Sequence, residues 1–126
     1  HKEKIKEHFG NKVRYREYLD FDKTNNLHTL WSVKDELKGN VIVTFADLVL
    51  HDDILKQLIS LNDDDIIMTI DTSEVREGTM RVEVIDEKLK NIRSTTIKRA
   101  SGNFIGLAKL NDSGCKKLIK EMYKSL

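Results

Sequence analysis

Four places in the sequence carry residue types that could do chemistry. Asp47 follows the apolar, β-branched run Val41 to Phe45, and Asp71 follows the shorter run Ile66 to Ile70. In open α/β sheets ligands sit outside the carboxyl ends of the strands, so an acid there is placed to hold a metal or a polar substrate. The same acid would equally serve as a solvated turn residue. Thr24, Asn25 and Asn26 supply a hydroxyl and two amides before a helical pattern, where they can cap the helix or read a polar ligand. Gly106 lies inside the run Phe104 to Leu110, and a glycine there points to a bulge or to close approach of another group.

The elements that must position these residues follow from periodicity and punctuation. Val41 to Phe45 looks like a strand buried on both faces, as in a parallel sheet. Lys2 to Phe9 is predicted as a short helix ended by Gly10 and Asn11, and Val13 to Tyr18 as a less buried strand. Leu19 to Lys23 is predicted as a loop. A helix set by Leu27, Leu30, Trp31 and Leu37 should close at Gly39, and a second, set by Ile54, Leu55, Leu58, Ile59 and Leu61, should start at Asp52 and Asp53.

Two successive strand-helix units describe an α/β sheet of βαβ type. Met80 to Ile85 alternates with period two, 86–91 should turn, and 92–97 should return as an antiparallel partner. Asn111, Asp112 and Ser113 should cap a last helix that packs Cys115, Leu118, Ile119 and Met122 on one face.

Composition narrows the function classes. The 126 residues suit one domain, and 22 basic against 21 acidic residues give a net charge of +1, with no general pull toward nucleic acid or an anionic membrane. The lone Cys115 excludes an internal disulfide, and no run approaches a membrane span, so a soluble cytoplasmic protein is expected. The chain contains no glycine-rich phosphate loop of Walker or dinucleotide type. His1, His8, His28 and His51 lack the spacing of a zinc site.

Taken in order, Asp22 to Ser32 (D-K-T-N-N-L-H-T-L-W-S), Val41 to Leu50 (V-I-V-T-F-A-D-L-V-L), Ile66 to Asp71 (I-I-M-T-I-D) and Gly102 to Leu110 (G-N-F-I-G-L-A-K-L) resemble the nucleotidyltransferases that activate sugar phosphates or amino-alcohol phosphates. Within them the blocks look closest to the phosphocholine and aminoethylphosphonate cytidylyltransferase branch. The resemblance implies a Rossmann-like, doubly wound mixed sheet of the nucleotide-diphospho-sugar transferase type, truncated at both ends. It also implies a Mg2+-dependent reaction in which an acceptor phosphate or phosphonate attacks the α-phosphorus of an NTP, with CTP favoured, and releases pyrophosphate.

Residue by residue, Asp47 matches the strand-end aspartate that binds Mg2+ and carries catalysis. Thr24, Asn25 and Asn26 match the segment near the nucleotide base. Asp71, Lys98, Asn103 and Gly106 fall on the acceptor side, where Asn103 stands in place of the family's usual glutamate. The triphosphate cradle would precede His1 and the second metal carboxylate would follow Leu126, so the chain by itself is expected to be inactive. The alternatives are a non-catalytic nucleotide- or metabolite-binding regulatory module of the same fold, or a sugar-1-phosphate nucleotidyltransferase. A homo-oligomer is compatible with these residues.

Overall fold

The computed structural model describes residues 2–75, 78–93 and 99–126. It divides the chain into two compact units, 1–36 with 119–126, and 37–118. Together they contain four α-helices and five strands among the described residues, a mixed α/β composition.

In the first unit, α1 (Lys2–Phe9) runs into a short 3-10 turn, Gly10–Lys12. Residues 13–18 form no strand, contrary to expectation. Alternation alone cannot make a strand without a partner for its backbone. Side-chain pairs hold this segment instead: Glu17 accepts from Lys2 at 3.0 Å and from Lys6 at 2.7 Å, and Arg14 reaches Glu36 at 2.5 Å. The two lysines draw the Glu17 carboxyl down to about 2. The expected loop at 19–23 is present as a turn, and α2 (Asn26–Trp31) follows. α2 is shorter than its apolar spacing suggested. Ser32 turns its hydroxyl back to the Thr29 carbonyl at 2.7 Å, a local bond that competes with helix continuation. A 3-10 turn, Lys34–Glu36, ends the unit's first stretch.

The second unit is built on one sheet of β1 (Val41–Thr44), β2 (Ile66–Asp71), β3 (Arg81–Ile85), β4 (Lys88–Arg93) and β5 (Gly102–Leu110). β5 is its spine. β1 pairs antiparallel with Leu107 to Leu110, and β3 pairs antiparallel with Gly102 and Asn103. β2 runs antiparallel along β5 from Leu110 to Asn103. The core follows this strand: Leu107, Ala108 and Leu110 are buried, with Val82, Leu58 and Cys115.

Two sequence expectations change here. β1 is not buried on both faces; its residues alternate half-buried and exposed, and Ile42 and Phe45 are about two-fifths exposed, at 39% and 40%. Its only strand partner among the described residues is β5, which leaves one edge of β1 without a paired strand. Nor do β1 and β2 pair with each other. Both run antiparallel to β5 and so run in the same direction, joined by α3 (Asp52–Ser60). The expected strand-helix-strand crossover exists, with an antiparallel strand inserted between its two strands.

The remaining elements agree better. α3 spans the expected residues, with Asp52 and Asp53 in its first turn and His51 Nδ1 accepting from the Asp53 amide. At its other end Lys109 donates to the carbonyls of Ile59 (2.6 Å) and Leu61, closing the helix with a cation where the dipole favours one. The β3–β4 hairpin is tighter than predicted. Asp86 and Glu87 both take positive φ, 51° and 60°, giving a two-residue turn whose twist suits the strands. Of the expected return strand, Ile92 and Arg93 lie in β4 and 94–97 fall outside the described residues.

α4 (Asp112–Ser125) is capped by Asn111, whose side chain accepts from the Gly114 amide at 2.8 Å. Cys115 is fully buried in α4, and burial pushes its thiol up, which suits packing rather than reactivity. No helix among the described residues is long and apolar enough to cross a membrane.

Candidate functional site at one end of the sheet

Because β1 and β2 share a direction, their carboxyl ends both point toward the start of β5. The register places Thr44 opposite Leu107 and Asp71 opposite Asn103. The end of β1 thus reaches the middle of β5, beside Gly106, and the end of β2 reaches its start, at Asn103, along the opposite edge. Asp47 sits in the turn after β1 and is exposed. Among the described residues its carboxylate makes no side-chain hydrogen bond or ion pair, so it is open to a ligand.

Asp71, Asn103 and Gly106 are engaged with the protein itself. Asp71 Oδ1 accepts from the Ser73 amide at 2.9 Å and from the Ser73 hydroxyl at 2.7 Å, which shapes the chain leaving β2. The bare Gly102 admits this strand end: a Cβ there would stand 2.4 Å from the Asp71 carbonyl oxygen. Asn103 is a buried polar side chain, 5% exposed. It donates to the Glu74 carbonyl at 2.5 Å and accepts from the Thr79 hydroxyl at 2.8 Å, tying both sides of the β2–β3 connection to β5. An amide can donate and accept at once, whereas a carboxylate could only accept. A carboxylate at this position could not make the bond to the Glu74 carbonyl.

Gly106 has φ of 85°, and the β2–β5 register shifts between Met68 and Ile70, so the bulge expected from this glycine is present. The group that approaches it closely is the Phe45 ring. Sequence reasoning missed Phe45 as the occupant. A glycine inside a strand says that something comes near, without saying what.

In the first unit, Thr24 donates to the Asp20 carbonyl at 2.8 Å and pairs with the Tyr18 hydroxyl at 3.1 Å, whose proton its oxygen can accept. Asn25 is the N-cap of α2, accepting from the Leu27 amide at 3.0 Å, with His28 Nδ1 at 3.1 Å. Asn26 is the exposed first residue of the helix. Lys98 lies outside the described residues.

No cluster of three or more His, Cys, Asp or Glu side chains is arranged as a metal site among the described residues. That does not exclude Mg2+ at Asp47, because Mg2+ is commonly held by one or two carboxylates together with substrate phosphates and water. Asp47, exposed and unengaged, fits one such ligand.

A polar hub that sequence reasoning passed over as a break lies at Asp65. Its carboxylate accepts from Lys117, Asn111 (2.9 Å) and Ser113 (3.1 Å), and these bonds, Lys117 first, hold its carboxyl at about 2. The signal for it was the Asn111-Asp112-Ser113 capping segment, whose partner is distant in sequence.

Compared with protein-family models, curated proteins and solved structures, the chain matches none.

Proposed function

We propose that this chain is the central part of a Mg2+-dependent nucleotidyltransferase, which transfers a nucleotidyl group to a small phosphate or phosphonate acceptor and releases pyrophosphate. CMP from CTP is the favoured group. The finer fold proposed with it is the doubly wound, Rossmann-like sheet, supported by the β1-α3-β2 crossover between strands of one direction.

One observation carries the reading: an exposed, unengaged Asp47 follows the carboxyl end of β1, which points the same way as that of β2. Ligands of open α/β sheets bind at such an end. A carboxylate there can hold a Mg2+ ion, which neutralises phosphate charge and orients in-line displacement. Asp47 is assigned to the metal. Thr24, Asn25 and Asn26 are assigned to the nucleotide, with Asn26 the one whose side chain makes no hydrogen bond to the protein among the described residues. Asp71, Asn103 and Gly106 shape the acceptor side, to which the resemblance adds Lys98.

The test is pyrophosphate release by the complete protein, screened across four NTPs with a panel of phosphorylated and phosphonate acceptors. Turnover with one pair, largely abolished by Asp47→Asn, supports the proposal. Full activity in Asp47→Asn removes Asp47 from the metal role. Nucleotide binding without turnover for any pair would favour a regulatory module.

A further inference from the structure

Gly106 stands where the pairing along one edge of β5 changes hands. Toward its start β5 pairs with β3 through Gly102 and Asn103, and toward its end with β1 through Leu107 to Leu110. Between these pairings the Gly106 carbonyl accepts from the Phe45 amide at 2.9 Å, one residue beyond the end of β1.

The same two residues meet a second time through the side chain. A Cβ on Gly106 would stand 2.2 Å from Cδ2 of Phe45, 2.6 Å from Cγ and 2.8 Å from Cε2, so the ring lies directly against the bare α-carbon. Phe104 meets that ring edge-on, with centroids 6.0 Å apart and planes at 74°. A backbone bond, a ring on a glycine and a ring on a ring therefore converge two residues before Asp47.

From this geometry we propose that Gly106 and Phe45 form a clamp that positions Asp47. The carboxylate leaves the sheet through a turn with no side-chain bond of its own among the described residues. Its direction is set by the residue that precedes that turn. Gly106 acts through Phe45, by leaving the ring a place to lie, and is a positioning residue. The functional consequence rests on the metal role proposed for Asp47; the clamp rests on geometry alone.

Amide hydrogen exchange and NMR shifts of the 126-residue chain test it, comparing the unaltered protein with Phe45→Ala, Gly106→Ala, their double variant and Phe45→Tyr. Phe45→Ala should lower protection of the residue-45 amide about tenfold or more and move the Ala46 and Asp47 resonances, while the β3–β4 hairpin keeps its exchange rates. Phe45→Tyr keeps the ring and should restore both. Gly106→Ala should cost less in the Phe45→Ala background than alone, because the clashing ring is gone and only the strain of alanine at φ 85° remains. If Gly106→Ala does not fold, Phe45→Ala and Phe45→Tyr carry the same test.

Titration with magnesium chloride alone adds the functional arm. Phe45→Ala should weaken any shift at Asp47 that Asp47→Asn abolishes. Exchange and Asp47 shifts unchanged within about twofold in Phe45→Ala, or equal costs of Gly106→Ala in both backgrounds, would overturn the clamp. No response of Asp47 to Mg2+ in the unaltered chain, with the exchange result intact, would instead overturn the metal reading and leave the clamp standing.

Discussion

Replacing Gly114 by alanine sets two physical effects against each other. Gly114 lies in the first turn of α4 and is buried, and its φ is not in the left-handed region. Helix propensity alone says that alanine should stabilise by about 1 kcal/mol. The surroundings say the opposite. A Cβ at Gly114 would stand 2.0 Å from the Asp65 carbonyl oxygen, 2.8 Å from its carbon and 3.0 Å from Ile66 Cγ1. The obstacle is backbone, and it is pinned: the Asn111 amide donates to that same oxygen at 3.1 Å, while Asn111, Ser113 and Lys117 hold the Asp65 side chain.

Overpacking against an immobile neighbour costs about 1–3 kcal/mol, and an approach this close belongs at the upper end. Less the propensity gain, the expected net loss is about 2 kcal/mol. With a urea m-value of about 2 kcal/mol/M, the unfolding midpoint followed by far-ultraviolet circular dichroism should fall by about 1 M at unchanged m. Lys120→Ala, at an exposed position of the same helix, should stay within about 0.5 kcal/mol and serves as the control. An unchanged or raised midpoint for Gly114→Ala would refute the argument that the Asp65 backbone cannot move.

Other consequences of the packing are equally direct. Leu107→Ala, at a side chain 1% exposed in the central strand, should lose about 2–5 kcal/mol of stability in the same urea experiment. Asn103→Ala should cost about 1–3 kcal/mol, and proteolysis should cut within the 72–79 connection sooner than in the unaltered chain. Asp65 is held at about 2 against an ordinary 3.8, so its folded form favours the charged state. Its contribution is therefore present above the ordinary value and is lost as pH falls toward 2. The stability difference between the unaltered chain and Asp65→Asn should be constant near neutrality and shrink below about pH 4; a difference independent of pH would remove the carboxylate from this role.

How much of this was legible in the sequence depends on the range of the interactions. α3 and its Asp52-Asp53 start, the Asn111 cap of α4 and the Gly106 bulge were readable, because each follows from residues a few positions apart. The role of β1 was misread. Val41 to Phe45 has the composition of a doubly buried strand, yet burial depends on neighbours, and the sheet gives β1 one partner strand among the described residues. The buried spine is β5, whose Gly102, Asn103, Gly106 and Lys109 make it look less like a core strand than it is.

Those same residues explain why it can be the spine. Gly102 and Gly106 admit Asp71 and Phe45, and Asn103 and Lys109 bond to distant backbone. At the candidate site, the strand-end position of Asp47 was readable from the chain. The pairing of Asp71 with Asn103 was not, since it comes from β5 lying between two strands that precede it in sequence.

The most direct test of the functional account is a single comparison of pyrophosphate release by the complete protein and by its Asp47→Asn variant, with Mg2+, CTP and the best acceptor from the screen. The account predicts steady release by the unaltered protein, dependent on both substrates, and loss of most of that rate in Asp47→Asn. Equal rates for the two proteins would contradict the assignment of Asp47, and no release with any NTP and acceptor would contradict the proposed reaction.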